Sequence, residues 1–288
     1  MKIKEVLHWG HETLILTSES ARLDAEVLLC HILKKPLTFL LAHDETEIGY
    51  FALRKYHRFI KQRKEGMPVA YLTGHREFYG LDFEVNKHVL VPRPDTEILV
   101  ECVISYLQSQ ISNLPAGRQG LKSQIILDIG TGSACIPISI LKNVPDIEAV
   151  ATEISGSAMG VAKRNIKKHG LSGRIKLFSS DLLKSVPREI FEDREVIVTA
   201  NLPYIPKQFA VHPSTKFEPG IALYGGDDGL DIYKRLVDEL SDINPRAMFF
   251  ECFEFQVATL ADKIQGYELK TVRDMSGKAK MMMLERNN

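Results

Sequence analysis

Apolar positions divide the chain into a helical N-terminal part and a longer part in which strands and helices alternate. Across roughly the first 65 residues, apolar side chains recur at the spacing of amphipathic helices. One such stripe consists of Ala21, Ala25, Leu28, Leu29, Ile32 and Leu33. Pro36 ends this helix because proline cannot continue it. A second helix is predicted from about Tyr50, and its buried face consists of Tyr56, Phe59 and Ile60.

Glycine and proline divide the middle of the chain into shorter pieces. Strand-like segments in residues 69–90 predict a hairpin that bridges two domains. Asp95 or Thr96 can cap a helix running toward Gln110. Residues 112–123 are rich in proline, glycine and polar side chains, and we interpret them as an exposed linker or insertion without chemistry of its own.

Strands and helices alternate beyond that segment. Strand candidates begin at Gln124, Ile147, Arg174, Glu195 and Arg246. Helices from Ser155 and Gly229 lie between them, which implies a parallel sheet covered on both faces. Residues 267–274 and 278–285 form a last pair of strands, and the short MSG link permits only antiparallel pairing. The pattern predicts an α/β fold with a Rossmann-like seven-stranded sheet, preceded by a small helical domain. The closing hairpin is typical of methyltransferases and unusual in dehydrogenase domains.

Composition and charge exclude several classes of protein. The net charge is zero, so no bulk attraction to nucleic acid or membrane is expected. The four cysteines, Cys30, Cys102, Cys135 and Cys252, form no CxxC pair, so neither structural zinc nor a disulfide framework is expected. The N-terminus lacks a signal-peptide pattern, and no apolar run approaches about 18 residues. We therefore expect a cytoplasmic protein without a membrane span.

The helix predicted from Tyr50 carries a run of basic side chains that no acid interrupts before Glu65. These are Arg54, Lys55, Arg58, Lys61, Arg63 and Lys64. The run forms either a solvated face or a contact surface for an RNA-rich or acidic partner.

The segment LDIGTGSACIPISI, from Leu127, has the pattern of a strand, a glycine turn and a helix. The strand is predicted to end at Asp128, the turn to use Gly130 and Gly132, and the helix to begin near Ser133. Glycines let backbone N–H groups approach a ligand closely, and the helix N-terminus adds a partial positive charge. The dinucleotide fingerprint requires Gly or Ala where Cys135 stands, which argues against a nicotinamide cofactor.

Carboxylates follow the next two strands at positions suited to a nucleoside. Glu153 ends the second strand, where a carboxylate accepts hydrogen bonds from ribose hydroxyls. Asp181 ends the third strand, where it can accept from an exocyclic amine, and Leu182 can pack on the base. We interpret these residues as ligand contacts and not as ordinary surface acids and turn residues.

The tetrapeptide Asn201-Leu202-Pro203-Tyr204 follows the fourth strand and faces the same crevice as the glycine turn. The lone pair of an amide or arylamine nitrogen is delocalised, so methylation is helped by acceptors for both N–H groups. The Asn201 side-chain oxygen and the Leu202 carbonyl are suitable acceptors. Pro203 fixes the backbone geometry of Leu202, and Tyr204 supplies a flat wall for a planar group.

Together these motifs resemble the protein-glutamine N5-methyltransferases of the HemK/PrmC type, which modify the Gly-Gly-Gln loop of peptide chain release factors. The resemblance covers essentially the whole chain, including the stretches from Ser20 (SARLDAEVLL), Pro68 (PVAYLTGHREFYGLDFEVNKHVLVPRPDTEILVE) and Phe217 (FEPGIALYGGDDGLDIYKRL). It implies S-adenosyl-L-methionine as cofactor, release factors as protein partner and proximity to the ribosome. The implied division is a helical substrate-recognition domain (1–65), a hairpin linker (66–93) and an S-adenosylmethionine-dependent methyltransferase domain (94–288).

The resemblance also implies roles for individual residues. Gly130 to Ala134 would contact the methionine part of the cofactor, Glu153 the ribose, and Asp181 with Leu182 the adenine. The implied cofactor-binding residues are Asp128, Gly130, Thr131, Gly132, Ser133, Ala134, Glu153, Asp181, Leu182 and Asn201. The implied catalytic residues, which form the amide pocket without a metal, are Asn201, Leu202, Pro203 and Tyr204.

This sequence departs from the family pattern at four positions. Leu202 replaces the first proline of Asn-Pro-Pro-Tyr, Ala134 a third glycine, Glu153 an aspartate and Phe253 a glycine. Asn-Leu-Pro-Tyr is also similar to the motif of adenine N6-methyltransferases that act on RNA or DNA, which is the principal alternative. A non-catalytic cofactor-binding or ribosome-associated protein is a further alternative, and a nicotinamide oxidoreductase a more distant one.

Overall fold

The computed structural model describes residues 1–112, 123–274 and 277–287. The described chain forms two units, Met1–His75 with Val211–Phe217, and Arg76–Ala210 with Glu218–Asn288. The interpretation of residues 113–122 as part of an exposed insertion therefore falls outside the described residues.

The first unit is built from helices, as the apolar spacing predicts. They are α1 (Ile3–Leu14), α2 (Ala21–Leu33), α3 (Leu37–Ala42), α4 (Tyr50–Lys64) and α5 (Val69–Thr73). The predicted faces are confirmed, because Ala21, Ala25, Leu28 and Leu29 of α2 and Tyr56, Phe59 and Ile60 of α4 are all buried. Ile32 and Leu33, at the end of the same stripe, are half-buried.

A polar contact ties α2 to α4 inside this unit. The Arg63 guanidinium donates to the Asp24 carboxylate at 2.6 Å, and both side chains are largely shielded from water. Arg63 is therefore committed to the packing of the unit. The other basic residues of α4, which are Arg54, Lys55, Arg58, Lys61 and Lys64, are exposed.

Only part of the segment 69–90 forms the predicted strands, because its first residues are helical. Residues Val69–Thr73 form α5, which ends at Gly74 in a left-handed conformation. The hairpin follows as β1 (His75–Phe78) and β2 (Leu81–Glu84). Tyr79 and Gly80 both have positive φ, the geometry of a tight turn that suits paired strands.

The second unit contains the predicted seven-stranded sheet. Its strands are β3 (Gln124–Ile129), β4 (Glu148–Glu153), β5 (Ile175–Ser179), β6 (Glu195–Ala200), β7 (Ala247–Glu251), β8 (Tyr267–Arg273) and β9 (Ala279–Arg286). They lie in the order β5-β4-β3-β6-β7-β9-β8. The first five pair in parallel, whereas β9 runs antiparallel to both β7 and β8. The predicted closing hairpin is confirmed, although part of its MSG link lies outside the described residues.

Helices cover both faces of this sheet. They are α6 (Pro94–Ser112), α7 (Cys135–Asn143), α8 (Gly156–Lys168), α9 (Asp231–Leu240) and α10 (Glu254–Ala261). Apolar residues of α6, α7 and α8 form one core with the sheet, and those of α9 and α10 form the other. Alternate residues of each central strand enter opposite cores, which explains why these strands are apolar at nearly every position. Since β3 lies between β4 and β6, a crevice is expected at the carboxyl ends of these three strands.

The helix α6 begins one residue earlier than the predicted cap. Pro94 occupies its first position, where a missing N–H is harmless. Asp95 and Thr96 therefore lie inside the first turn and do not cap it, which corrects the prediction. Among the helices of the described ranges, none combines the length and the apolar character that crossing a membrane requires.

Candidate active site

A cavity of about 260 Å³ opens at the carboxyl ends of β3, β4 and β6, where the order of the strands predicts a crevice. Eight of the residues singled out in the sequence line it: Gly130, Gly132, Glu153, Asp181, Leu182, Asn201, Leu202 and Pro203. The remaining five, Asp128, Thr131, Ser133, Ala134 and Tyr204, are not part of its wall. The structure therefore brings residues from the ends of four different strands, β3, β4, β5 and β6, to one cavity.

The glycine turn bends as the sequence predicts, but the helix after it begins two residues later than expected. Gly130 and Gly132 have φ values of +68° and +57°, and α7 begins at Cys135. Ala134 precedes it with φ +63°, so a non-glycine residue occupies the left-handed region at the helix N-terminus. A Cβ on Gly130 would stand 2.8 Å from Leu202 Cδ2. Glycine is favoured there by the positive φ and by the Leu202 side chain, which would have to shift to make room for a Cβ.

The residues of the turn that do not reach the cavity hold the turn in place. The Thr131 amide donates to the Thr152 carbonyl at 2.9 Å, which ties the turn to β4. The Ser133 carbonyl accepts from the buried Asn165 side chain, also at 2.9 Å. Ala134 is completely buried. These residues support the wall without forming it.

Asp128 lies beneath the glycine turn with only 1% of its surface exposed. Its Oδ1 accepts from the Thr199 hydroxyl at 2.7 Å, and its Oδ2 has no hydrogen-bond partner among the described residues. Burial raises the pKa of the Asp128 carboxyl to about 7, although the nearby hydroxyls of Thr131 and Thr199 oppose the shift, and the negative charge of Glu153 adds a smaller contribution in the same direction as burial. The Asp128 carboxyl therefore keeps its proton to a higher pH than a solvent-exposed aspartate does.

Glu153 is held by backbone donors from both sides. Its Oε2 accepts from the Gly132 amide at 2.9 Å, and its Oε1 accepts from the Ser155 amide at 2.8 Å. A carboxylate has about four lone-pair sites, so each oxygen retains capacity for a further donor. The side chain is thus fixed at the wall of the cavity and can still accept from a ligand hydroxyl.

Asp181 and Leu182 contribute a charged and an apolar part of the wall. Asp181 pairs with Lys184 and Arg235 at 2.6 Å each, and the hydrogen bond from Lys184 is the main cause that holds the pKa of this carboxyl below its usual range. Leu182 is buried and has φ +53°. The left-handed conformation of Leu182 turns the chain sharply just after β5.

The Asn201-Leu202-Pro203-Tyr204 motif leaves β6 within a network of polar contacts. The Asn201 Nδ2 group donates to the Thr96 hydroxyl at 2.9 Å, and the Leu202 amide donates to the Tyr233 hydroxyl at 3.2 Å. The Tyr204 hydroxyl donates to Glu251 Oε1 at 2.9 Å. Burial is the largest cause that raises the pKa of Tyr204 far above its usual value, so its hydroxyl keeps its proton. Three residues of the motif are thereby fixed in orientation.

Sequence reasoning missed three buried residues of this network, Thr96, Tyr233 and Glu251. Glu251 ends β7 and is 4% exposed, and Thr96 in the first turn of α6 is 2% exposed. The Thr96 hydroxyl donates to Glu251 Oε2 at 2.7 Å. Burial raises the pKa of Glu251, while these hydroxyl donors oppose the shift. A glutamate at the end of an otherwise apolar strand was the signal that could have identified this position.

Two further parts of the wall come from segments that the sequence analysis did not assign to the site. One consists of His88, Val89 and Leu90, and the other includes Pro219, Ile221 and Ala222. The buried carboxylate of Glu218 connects these two segments. It accepts from the Val91 amide at 3.2 Å and forms an ion pair with Arg93. Contacts of this kind between distant segments cannot be read from spacing along the chain.

Comparison with known proteins places this arrangement in a family. The N-terminal domain model of PrmC matches residues 5–74, and the methyltransferase small domain model matches residues 108–205. A release factor glutamine methyltransferase of Clostridium acetobutylicum is 39% identical over 82% of this chain and 80% of its own length. Another, of Rhodopirellula baltica, is 34% identical over 93% of this chain and 90% of its own length. The chain belongs to the release factor glutamine methyltransferase family.

Relatives of this family also occur as parts of longer proteins. A bifunctional methyltransferase of Rickettsia bellii is 34% identical over 75% of this chain, which spans only 42% of that protein. Solved structures share the fold at low identity. The human METTL16 catalytic domain in complex with MAT2A 3'UTR hairpin 1 is 15% identical with a TM-score of 0.57, over 90% of this chain and 91% of that chain. The N-terminal domain of human METTL16 in complex with SAH is 16% identical with a TM-score of 0.53, over 90% and 94%.

Proposed function

We propose that this protein transfers a methyl group from S-adenosyl-L-methionine to the side-chain amide nitrogen of glutamine in the Gly-Gly-Gln loop of peptide chain release factors. Membership of the family supports the reaction class and the substrate. The observation that carries the proposal is the position of Asn201, which lines the cavity together with the glycine turn and Glu153. An amide-recognising side chain and a nucleoside-binding wall therefore share one cavity.

The chemistry of the wall fits the proposed cofactor. Glu153 retains lone pairs for ribose hydroxyls, and Leu182 and Ile232 offer apolar surface for a base. The turn at Gly130 and Gly132 can approach the methionine part closely, with buried Asp128 beneath it. When bound, the sulfonium supplies an electrophilic methyl group. Asp128, Thr131, Ser133 and Ala134 remain predicted cofactor residues that act through the turn and do not line the cavity.

The protein's contribution to the reaction is the orientation of the acceptor nitrogen. The Asn201 Oδ1 atom makes no hydrogen bond to the described residues, because Nδ2 takes the contact with Thr96. This oxygen and the Leu202 carbonyl can accept the two N–H groups of a glutamine amide, with Pro203 beside them in the wall and Tyr204 supporting the motif from outside the cavity. Accepting both N–H groups directs the nitrogen lone pair toward the methyl donor. Positioning of the two reactants then accounts for most of the acceleration.

Transfer of a tritiated methyl group to intact release factor, with ribosomal RNA as competing substrate, tests the proposal. We expect labelled release factor and unlabelled RNA. Asn201→Ala should reduce the rate of methyl transfer by a factor on the order of 10²–10³, which is the usual effect of losing one preorganised polar contact to the reacting group. Label on RNA adenine alone would replace the proposal with the alternative to which the Asn-Leu-Pro-Tyr sequence is also similar. If neither substrate is labelled although the cofactor binds, the result would favour the hypothesis of a non-catalytic cofactor-binding protein.

We also propose a division of labour along the chain. Residues 1–65 would recognise the substrate protein, residues 66–93 would link the domains, and residues 94–288 would carry out methyl transfer. The match of residues 5–74 to the PrmC N-terminal domain supports this division. The exposed basic residues of α4 provide a surface for an acidic partner, whether release factor or ribosome. Location in the cytoplasm is part of the same proposal.

A further inference from the structure

We infer that Thr96 and Glu251 are positioning residues that set which way the Asn201 amide faces. The inference rests on the proposed function, because it explains how Asn201 presents an oxygen to the substrate amide. Thr96, Glu251 and Asn201 come from α6, β7 and the end of β6. Two hydrogen bonds of 2.7 and 2.9 Å connect them in series.

The direction of each hydrogen bond follows from the chemistry at the far end. Both oxygens of Glu251 accept from hydroxyl groups, Oε2 from Thr96 and Oε1 from Tyr204, so the single proton of the Thr96 hydroxyl is used in the bond to Glu251. The Thr96 oxygen is then left with lone pairs alone. The group of Asn201 that faces it must be a donor, which is the Nδ2 amide. Oδ1 is consequently the atom left for a ligand.

Burial makes this order of donors strict. Thr96 is 2% exposed and Glu251 is 4% exposed, so water cannot replace a lost partner at either position. A buried acceptor without its donor is costly, and a reversed Asn201 amide would place Oδ1 against an oxygen that has no proton to give. The orientation of Asn201 is therefore determined by the carboxylate of Glu251, with which it has no hydrogen bond.

The second oxygen of Glu251 extends the same control to Tyr204. Its Oε1 accepts from the Tyr204 hydroxyl at 2.9 Å. One carboxylate thus fixes the first and the last residue of the Asn-Leu-Pro-Tyr motif. The intervening Leu202 amide is held separately, by the Tyr233 hydroxyl. This arrangement keeps the pocket in a single geometry before substrate arrives, which is the condition for catalysis by positioning.

Two variants of the full-length protein test the inference by different routes. Thr96→Val keeps the shape of the side chain and removes its hydroxyl, so the Asn201 amide loses its partner. Glu251→Gln keeps Thr96 and Asn201 intact. Its carboxamide oxygen can still accept from Tyr204, and its NH₂ group then faces Thr96. The Thr96 hydroxyl then accepts from the new NH₂ group and donates its own proton to Asn201. The Asn201 side-chain amide is therefore expected to flip, so that Oδ1 faces Thr96 and Nδ2 faces the cavity. Thr96→Ser retains the hydroxyl and serves as the conservative control.

We expect Thr96→Val and Glu251→Gln each to lower kcat for release factor by a factor on the order of 10², as a misplaced reacting group does, with a much smaller change in KM for the cofactor. Thr96→Ser should restore most of the rate. NMR of isotope-labelled asparagine side chains supplies a readout that does not depend on activity. The Asn201 NH₂ signal, identified by its absence in Asn201→Ala, should be protected from exchange in the wild type and lose protection in both variants.

Thr199→Val is the matched control for the NMR measurement. It removes another buried hydroxyl that donates to a carboxylate at 2.7 Å, two residues before Asn201, and should leave the Asn201 signal protected. Retained protection and rate in Thr96→Val and Glu251→Gln would overturn the inference. Lost protection with a full rate would also overturn it, because orientation would then be irrelevant to turnover. If the wild-type protein transfers no methyl group to release factor, the proposed function fails. The NMR measurement alone then decides whether the hydrogen bonds from Asn201 through Thr96 to Glu251 orient the Asn201 amide.

Discussion

Replacing Asp128 with asparagine removes a titrating carboxyl from beneath the glycine turn. The side chain is 1% exposed, and Oδ2 has no partner among the described residues. Burial raises the pKa of Asp128 from 3.8 to about 7 in the folded protein. The folded state therefore holds this proton more tightly than the unfolded state does. Its contribution to stability is neutral below pH 3.8 and becomes increasingly unfavourable as pH rises toward 7.

The size of the effect follows from this difference in pKa. One pKa unit corresponds to about 1.4 kcal/mol, so full ionisation costs the folded state about 4 kcal/mol. Over the interval from about pH 5 to about pH 8, the free energy of unfolding should fall by about 2–3 kcal/mol on account of this group. Asp128→Asn cannot ionise and removes only this part of the pH dependence. Any penalty from its unpaired NH₂ group is the same at both pH values and cancels in the comparison.

Urea unfolding of the cofactor-free protein measures this difference. The free energy of unfolding of Asp128→Asn minus that of the wild type should increase by about 2–3 kcal/mol between about pH 5 and about pH 8. Asp238→Asn makes the same chemical change on the surface of α9 and is the matched control. A difference for Asp128→Asn that is constant with pH, or that decreases as pH rises, would refute the assignment of a raised pKa to Asp128.

Two other predictions concern the wall of the cavity. Glu153→Ala should weaken cofactor binding by about 1–3 kcal/mol in calorimetry, the range for hydrogen bonds to a charged acceptor, whereas Glu148→Ala at the opposite end of β4 should not. Unchanged affinity would remove Glu153 from the site. Gly130→Ala should lower Tm more than Gly132→Ala, since both take positive φ but only the Gly130 Cβ would stand 2.8 Å from Leu202. Equal losses would show that the contact with Leu202 does not matter.

The periodicity of the sequence predicted the elements of the fold because burial acts directly on spacing. Central strands with both faces buried are apolar at nearly every position, and the short link after Arg273 left only antiparallel pairing. Element ends were less predictable. Asp95 and Thr96 have side chains suited to capping, yet Pro94 takes the first helical position. Residues 69–73 form a helix although their β-branched and aromatic side chains favour strands.

The cavity could be anticipated in part, because the ends of parallel strands meet at one edge of a sheet. Gly130, Glu153 and Asn201 each follow a strand, and all three line the cavity. What the spacing could not show is which side chains lie under the wall. Asp128 and Tyr204 are excluded from the cavity, and Glu251 reaches Tyr204 across 47 residues of sequence. Such contacts depend on the order of strands in the sheet, which no local pattern specifies.

Peptide mapping of the modified release factor by mass spectrometry is the most direct test of the proposed function. Wild-type protein with S-adenosyl-L-methionine should add one methyl group to the glutamine of the Gly-Gly-Gln loop. The same reaction with Asn201→Ala should leave that peptide almost entirely unmodified. A methyl group on any other residue, or on adenine while the Gly-Gly-Gln peptide stays unmodified, would contradict the assignment of glutamine as the substrate.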